Sequence, residues 1–346
     1  MQTFSIVPTT WRAWLGVCFR LTAFVFLPLG LILAYMLHVP GHSYRGKLAP
    51  LTSSEQALAS QMFAHVMAVA STEHNTRHPD ALERAAGYIE SQLAGMNYPV
   101  ALQQFDSIDT TMRAKVRNIE VEIKGSSKPQ EIVIVGAHYD SAPGAPGAND
   151  NGSGTAMVLE LARSLHTSAP QRTLRFVLFA NEEPPYFGGS SMGSLKYANR
   201  SRSRGENIVA MLSLETIGYY DDAPNSQIYP SIFRPFFPNS GDFVGFVSDL
   251  HSRELMHRTI TRFRATEPFP SEGVAAFAWI QGVDWSDHGS FWKNGYPAIM
   301  VTDTAIFRYP YYHTGSDTPD RLNYGRMAKV FNGVRAAVAE LAGAAK

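Results

Sequence analysis

The chain has 346 residues, 45% of them hydrophobic, which suits one large domain with an appendage and is too much for a minimal domain. Lys plus Arg number 30 and Asp plus Glu number 30, with a pI near 7.2, so there is no electrostatic case for a nucleic-acid partner. The only cysteine, Cys18, excludes an intramolecular disulfide.

In chain order, the first element is the uncharged 17-residue run Leu21 to Leu37, LTAFVFLPLGLILAYML. At about 1.5 Å per residue it is just long enough to cross a bilayer core, helped by Val39 and the apolar residues before Arg20. We read residues 1–20 as a short tail, 21–39 as a single-pass transmembrane anchor, 40–53 as a polar linker and 54–346 as one large domain. Pro28 and Gly30 can kink the span, which membrane helices tolerate. A cleaved signal peptide would need a small-x-small site after the run, and Ala34-Tyr35-Met36 does not supply one. A lipid-attachment cysteine should follow the run, whereas Cys18 precedes it. A buried core helix is the competing reading. Arg12 and Arg20 before the span and Arg45 and Lys47 after it tie the positive-residue count.

Helical patterns run from Ser54 to Ala70 and from Pro79 to Gly95. Val116 to Ile123 and Glu131 to Val135 read as strands separated by the turn Gly125-Ser126-Ser127-Lys128-Pro129. The second of these is short, apolar and β-branched, as in a buried parallel strand, and it places His138 at a strand's carboxyl end. In open α/β sheets that edge is where ligands bind. Asp140, two residues on, is placed to accept the free ring N–H of His138 and fix its tautomer. Ser141 to Gly154 is rich in Gly, Pro, Ala and Asn and must be a loop. It carries Asp150 just ahead of the helical pattern Ala156, Leu159, Leu161, Ala162 and Leu165. A carboxylate can give one oxygen to each of two cations, which makes Asp150 a natural bridge.

The strand Leu174 to Ala180 delivers Asn181-Glu182-Glu183, and the strand Ile208 to Leu214 ends at Glu215. Tyr219 to Phe243 is rich in Pro, Asn, Asp and aromatics and reads as a long loop over the site, with packing against the outer surface as the alternative. A helix and further strands bridge the gap to His313. His166, His251 and His257 fall in helical patterns as surface or boundary residues. Arg308 could recognise a substrate carboxylate, although a salt bridge is the plainer reading for one arginine.

Taken with their neighbours, these residues form an ordered set of motifs: Gly136-Ala137-His138-Tyr139-Asp140-Ser141, Ala148-Asn149-Asp150-Asn151-Gly152-Ser153-Gly154, Asn181-Glu182-Glu183, Leu214-Glu215-Thr216-Ile217-Gly218-Tyr219, and Pro310-Tyr311-Tyr312-His313-Thr314-Gly315-Ser316-Asp317-Thr318. The set closely resembles the M28 family of zinc aminopeptidases and carboxypeptidase-like hydrolases, over roughly residues 60–340. Trp285-Ser286-Asp287-His288-Gly289-Ser290-Phe291-Trp292 is also similar to a stretch of the family, with Asp287 read as pocket wall or as support behind the ligands.

The resemblance implies an α/β fold with a mixed, mainly parallel sheet sandwiched by helices. It implies two Zn2+ per chain, one held by Asp150, Glu183 and His313 and the other by Asp150, His138 and Glu215. Glu182 is implied as general base and Tyr312 as hydrogen-bond donor to the developing oxyanion. The family often has Asp where this chain has Glu215; Glu is an ordinary zinc ligand, but its extra methylene could change how a substrate amino group is held. The peptide bond after the bridging aspartate is often cis in the family, here Asp150 to Asn151. The expected activity is release of N-terminal residues from peptides by a membrane-tethered enzyme, with the catalytic domain outside the cytoplasm. Two alternatives are a glutaminyl cyclase-like reaction on the same scaffold with one zinc and a non-catalytic interaction domain.

Overall fold

The computed structural model describes residues 10–108 and 113–344. Val39 ends one compact unit and Pro40 begins the other. In the first, α1 (Trp11–Leu21), a widened turn (Thr22–Phe26) and α2 (Leu27–Leu37) run as one helix. The Thr10 hydroxyl caps it by accepting from the Ala13 N–H at 3.2 Å. The widened turn comes just before Pro28, which lacks an N–H and crowds the carbonyl four residues earlier. The helix has 27 residues, about 40 Å at 1.5 Å each, so it is long and apolar enough to cross a membrane, as are anchors and signal sequences alike.

The second unit opens with α3 (Ser53–Ala70) and α4 (Pro79–Gly95). Helix α3 starts at a capping box: Thr52 accepts from the Glu55 N–H at 3.2 Å, and Glu55 accepts from the Thr52 N–H at 2.7 Å. Eight strands follow among the described residues: β1 (Ala101–Ile108), β2 (Arg113–Ile123), β3 (Lys128–His138), β4 (Arg172–Phe179), β5 (Asn207–Glu215), β6 (Val244–Ser248), β7 (Ser271–Ala275) and β8 (Ala298–Thr302). Between them lie α5 (Gly154–Leu165), α6 (Gly193–Ser203), α7 (Arg253–Thr266) and α8 (His288–Lys293), and α9 (Tyr324–Ala342) closes the chain.

The strands form one sheet in the order β1-β2-β4-β3-β5-β8-β6-β7. Strands β4, β3, β5 and β8 are mutually parallel, β6 pairs parallel with β7 but antiparallel with β8, and β1 and β2 form an antiparallel margin. The α/β fold with a mixed, mainly parallel sheet is therefore as expected. Alternation along the central strands splits the core in two. Ile132, Ile134, Val177 and Phe179 pack with Tyr197 of α6 and Phe291 of α8, whereas α5 and α9 cover the other face of β3.

The strands are longer than the apolar runs that announced them. β3 begins at Lys128, inside the predicted turn, because its first residues are polar and partly exposed. Strand β1 had no apolar run to reveal it: its sequence, ALQQFDSI, is half polar along the sheet margin. His257 is buried on α7 beside Met256 and Ile260, not at a surface.

What this topology does for function is bring the ends of β4, β3 and β5 side by side. His138 is the last residue of β3, Glu215 the last of β5, and Asn181-Glu182-Glu183 follow just after β4. The close fit of α5 against these ends depends on Gly154, where a Cβ would collide with the Leu214 carbonyl and the Asn151 side chain. Gly154→Ala should therefore lower stability by about 1–3 kcal/mol, read as a fall in the thermal unfolding midpoint.

Candidate metal centre

His138 points its ring into the cleft because its other nitrogen is held behind it. Nδ1 lies 3.1 Å from the Asp140 backbone carbonyl, while the Asp140 carboxylate stands farther off, at 3.6 Å. That carboxylate instead accepts the backbone N–H groups of Glu182 at 3.1 Å and Glu183 at 3.2 Å. Asp140 thus couples the end of β3 to the end of β4, a wider task than the ring contact read from the sequence.

Asp150 lies in the irregular turn Ala148–Ser153, and its peptide bond to Asn151 is cis. One carboxylate oxygen is 3.3 Å from His138 Nε2 and the other 3.0 Å from His313 Nε2. His313 Nε2 also lies 3.1 Å from Glu183, and His138 Nε2 3.5 Å from Glu215. Two groups of donors result, His138, Asp150 and Glu215 in one and Asp150, Glu183 and His313 in the other, each within 4.8 Å and with Asp150 common to both.

Residues not singled out by the sequence hold this arrangement. Asp317 accepts the N–H groups of Asn149 at 2.8 Å and Asp150 at 3.2 Å, and Tyr309 donates to it at 2.7 Å. Asn149 donates to Asp303 at 2.9 Å and accepts from the Gly218 N–H at 2.8 Å. Asn151 accepts from the Thr216 N–H at 3.1 Å, and Ser286 donates to Glu215 at 2.7 Å. The sequence cue was that Asn149 and Asn151, Thr216 and Gly218, Asp317, and Ser286 stand inside the motifs of Asp150, Glu215, His313 and Asp287. Three non-glycine residues at or beside the donors are left-handed: Asn181 (φ 56°), Thr216 (φ 45°) and His313 (φ 55°).

The centre gathers more negative charge than its histidines can answer. Burial pushes the Glu183 carboxyl up to about 8, with Asp150 adding to it and His313 opposing. Burial likewise raises Glu182 well above the usual carboxylate range, opposed by His138 and reinforced by Glu215, Glu183 and Asp287. Asp287 is fully buried and raised to about 7 by burial. Neither of its oxygens makes an aligned hydrogen bond, since the neighbouring Ser194 hydroxyl pairs with Ser290 at 2.9 Å. His138 Nε2, Asp150 Oδ2, Glu183 Oε1 and His313 Nε2 are buried and converge without an aligned hydrogen bond. Carboxylates and imidazole nitrogens arranged so are suited to divalent cations, and the donor types fit zinc.

Beside Glu215 and Tyr312 lies an apolar cavity that opens to solvent, with about 850 Å³ of empty space when its open mouth is included. The aromatic loop supplies Tyr229, Phe233, Phe237 and Phe243 to its wall, and the segment around Trp285 supplies the other side. Arg308 lies outside the donor cluster. It is buried, donates to Gln227 and to the Phe243 carbonyl, both at 2.7 Å, and so fastens the aromatic loop instead of forming a salt bridge.

The sequence profile of Peptidase family M28 matches residues 118–338. The chain belongs to peptidase family M28. The uncharacterized protein YfbL of Escherichia coli is 36% identical over 74% of this chain and 79% of its own length. A probable leucine aminopeptidase of Arthroderma otae is 32% identical over 67% of this chain, an alignment that spans only 59% of that relative. Among solved structures, a zinc aminopeptidase from Bacillus subtilis superposes with a TM-score of 0.65 at 17% identity, covering 83% of this chain and 95% of its own. A glutaminyl cyclase of Macrostomum lignano gives 0.63 at 17% identity, covering 86% and 96%. These last two share the fold, and the fold alone does not choose between their activities. Family membership makes the chain a zinc aminopeptidase-like peptidase.

Because Asp317 orients the Asp150 turn without joining either donor group, Asp317→Ala should weaken zinc binding by about 10- to 100-fold, measured by competition with a chromogenic chelator.

Proposed function

We propose that this M28 peptidase is a membrane-anchored aminopeptidase that works with two zinc ions per chain. The observation that carries the reading is the pair of donor triads sharing Asp150, with Glu182 beside both and a member of neither. In it His138, Asp150 and Glu215 hold one ion, and Asp150, Glu183 and His313 the other. When bound, zinc supplies Lewis acidity that polarises a peptide carbonyl and acidifies water.

The chain's own residues then divide the work. Glu182 lies 3.9 Å from His138 Nε2, at the edge of the triads, where it can take a proton from the attacking water and return it to the departing amine. Asp140 fixes its backbone through the Glu182 N–H, and Asp287 adds negative charge that favours proton uptake. Burial, reinforced by Asp150 and Glu183, raises the Tyr312 phenol far above its usual range, so it stays a donor that can stabilise a developing oxyanion. Glu215 borders the apolar cavity and is placed to meet a substrate's terminal amine while the first side chain enters the cavity. Two complete triads favour this over a one-zinc cyclase, and an intact base and donor set favour it over a non-catalytic domain.

Glu182→Gln should reduce release of N-terminal residues from a peptide panel by about 10²- to 10⁴-fold while retaining two zincs per chain. One zinc with pyroglutamate formation would point to the cyclase, and no metal with no turnover to a binding domain.

The 27-residue apolar helix supports the anchor, and a tether suits an enzyme that trims peptides outside the cytoplasm. The full chain should sediment with membranes and retain its N-terminus, whereas residues 40–346 alone should stay in the soluble fraction. A mature N-terminus beyond residue 37 would indicate a signal sequence instead.

A further inference from the structure

Four residues stand in one row across the sheet. Glu215 of β5 pairs with Thr302 of β8, Thr302 with Gly245 of β6, and Gly245 with Glu272 of β7. Directly paired residues share a face, so Glu215 and Glu272 rise from the same side, three strand spacings or about 14 Å apart. Gly245 offers no side chain and Thr302 a small one, which leaves a trough between the two carboxylates. All four residues line the apolar cavity. One end of that cavity is a candidate zinc ligand; the other is a carboxylate in an otherwise largely apolar wall.

Glu272 does not face the cavity uncompensated. Arg45, which is not part of the cavity wall, donates to its carboxylate at 2.7 Å. The segment that carries Arg45 is fastened to β7 and α7. The Ser271 N–H donates to Ser43 at 2.9 Å, and Arg264 donates to the Pro40 carbonyl at 2.7 Å. Arg264 also donates to Ser271, at 3.0 Å to the hydroxyl and 2.6 Å to the carbonyl. Arg45 is the guanidinium that hydrogen-bonds the Glu272 carboxylate, and Arg264 adds positive charge nearby. Burial raises the Glu272 carboxyl above its usual range, and Arg45 is the leading influence that draws it back.

We propose that Arg45 is a specificity-determining residue: pairing with Glu272 from the segment just after the apolar helix, it neutralises the far end of the substrate pocket and makes it select uncharged apolar N-terminal side chains over lysine. This rests on the aminopeptidase reading of the site. A lysine entering the wild-type pocket meets a carboxylate that is already paired and must displace a guanidinium or leave its own ammonium desolvated. An aliphatic chain of the same length meets aromatic rings and a neutralised end. Without Arg45 the preference shifts toward lysine, because the part-buried carboxylate loses its hydrogen-bonded guanidinium and becomes available to an ammonium.

L-Norleucine and L-lysine have side chains of nearly equal length and differ in terminal charge. Their binding to the zinc-loaded full chain in detergent, by calorimetry, tests the proposal. The wild type should favour norleucine, and Arg45→Met should move the ratio of affinities at least tenfold toward lysine. Arg45→Lys should keep the wild-type ratio, and Arg45→Met with Glu272→Gln should return to norleucine. An unchanged ratio in Arg45→Met, or a shift that survives in the double variant, overturns the proposal. Release of the same two residues from matched dipeptides, measured alongside, separates the two readings. A shifted binding ratio with no peptide turnover in the wild type sinks only the aminopeptidase, whereas turnover with unshifted ratios sinks only the role of Arg45.

Discussion

Charge removed from water must be answered by charge, and the architecture is arranged around that requirement. Asp150, Glu182, Glu183, Glu215 and Asp287 are all buried within one cluster that also holds His138 and His313. Two imidazoles cannot compensate five carboxyl groups, which is why burial pushes several of them up. Divalent cations would relieve this directly, at the place where the donor atoms already converge. The sheet order, the glycine at the start of α5 and the Asp150 turn can all be understood as ways of holding such a cluster together.

Holding it falls to a second layer of acids and amides that receive backbone N–H groups. Asp140 receives two from the end of β4, Asp317 two from the Asp150 turn, and Asn151 two from the start of α5 and the end of β5. A carboxylate satisfied by backbone donors cannot easily rotate, so the donor side chains inherit the rigidity of the strands. The same logic extends outward to Arg308, whose hydrogen bonds to Gln227 and Phe243 fix the aromatic loop that walls the cavity.

Much of this could be read in the sequence, for identifiable reasons. Short β-branched runs mark buried parallel strands, and polar residues just beyond them mark the binding edge, so His138, Glu182, Glu183 and Glu215 were visible as a group. Asp150 and His313 needed the motifs around them, because neither follows an apolar strand. Asp317, Asn149 and Ser286 were not visible as supports, since their partners are distant in sequence and a hydrogen bond leaves no periodic trace. The polar margin strand β1 and the row from Glu215 to Glu272 were hidden for the same reason: pairing register emerges only when the strand order is known. The role of Asp140 was half legible, its place beside His138 being evident and its grip on β4 not.

The left-handed backbone beside the donors has a bearing on how this protein can change. Thr216 is β-branched and sits at φ 45°, where glycine would rest without penalty. Its hydroxyl pairs with that of Thr302 at 3.1 Å, and its N–H is received by Asn151, so the side chain is part of what joins the ends of β5 and β8. A search for hardier variants would be drawn to this position, because relaxing the backbone there is among the simplest gains on offer. It would also loosen the junction between two strands that border both the donor cluster and the cavity. Robustness and competence thus pull in opposite directions at one threonine.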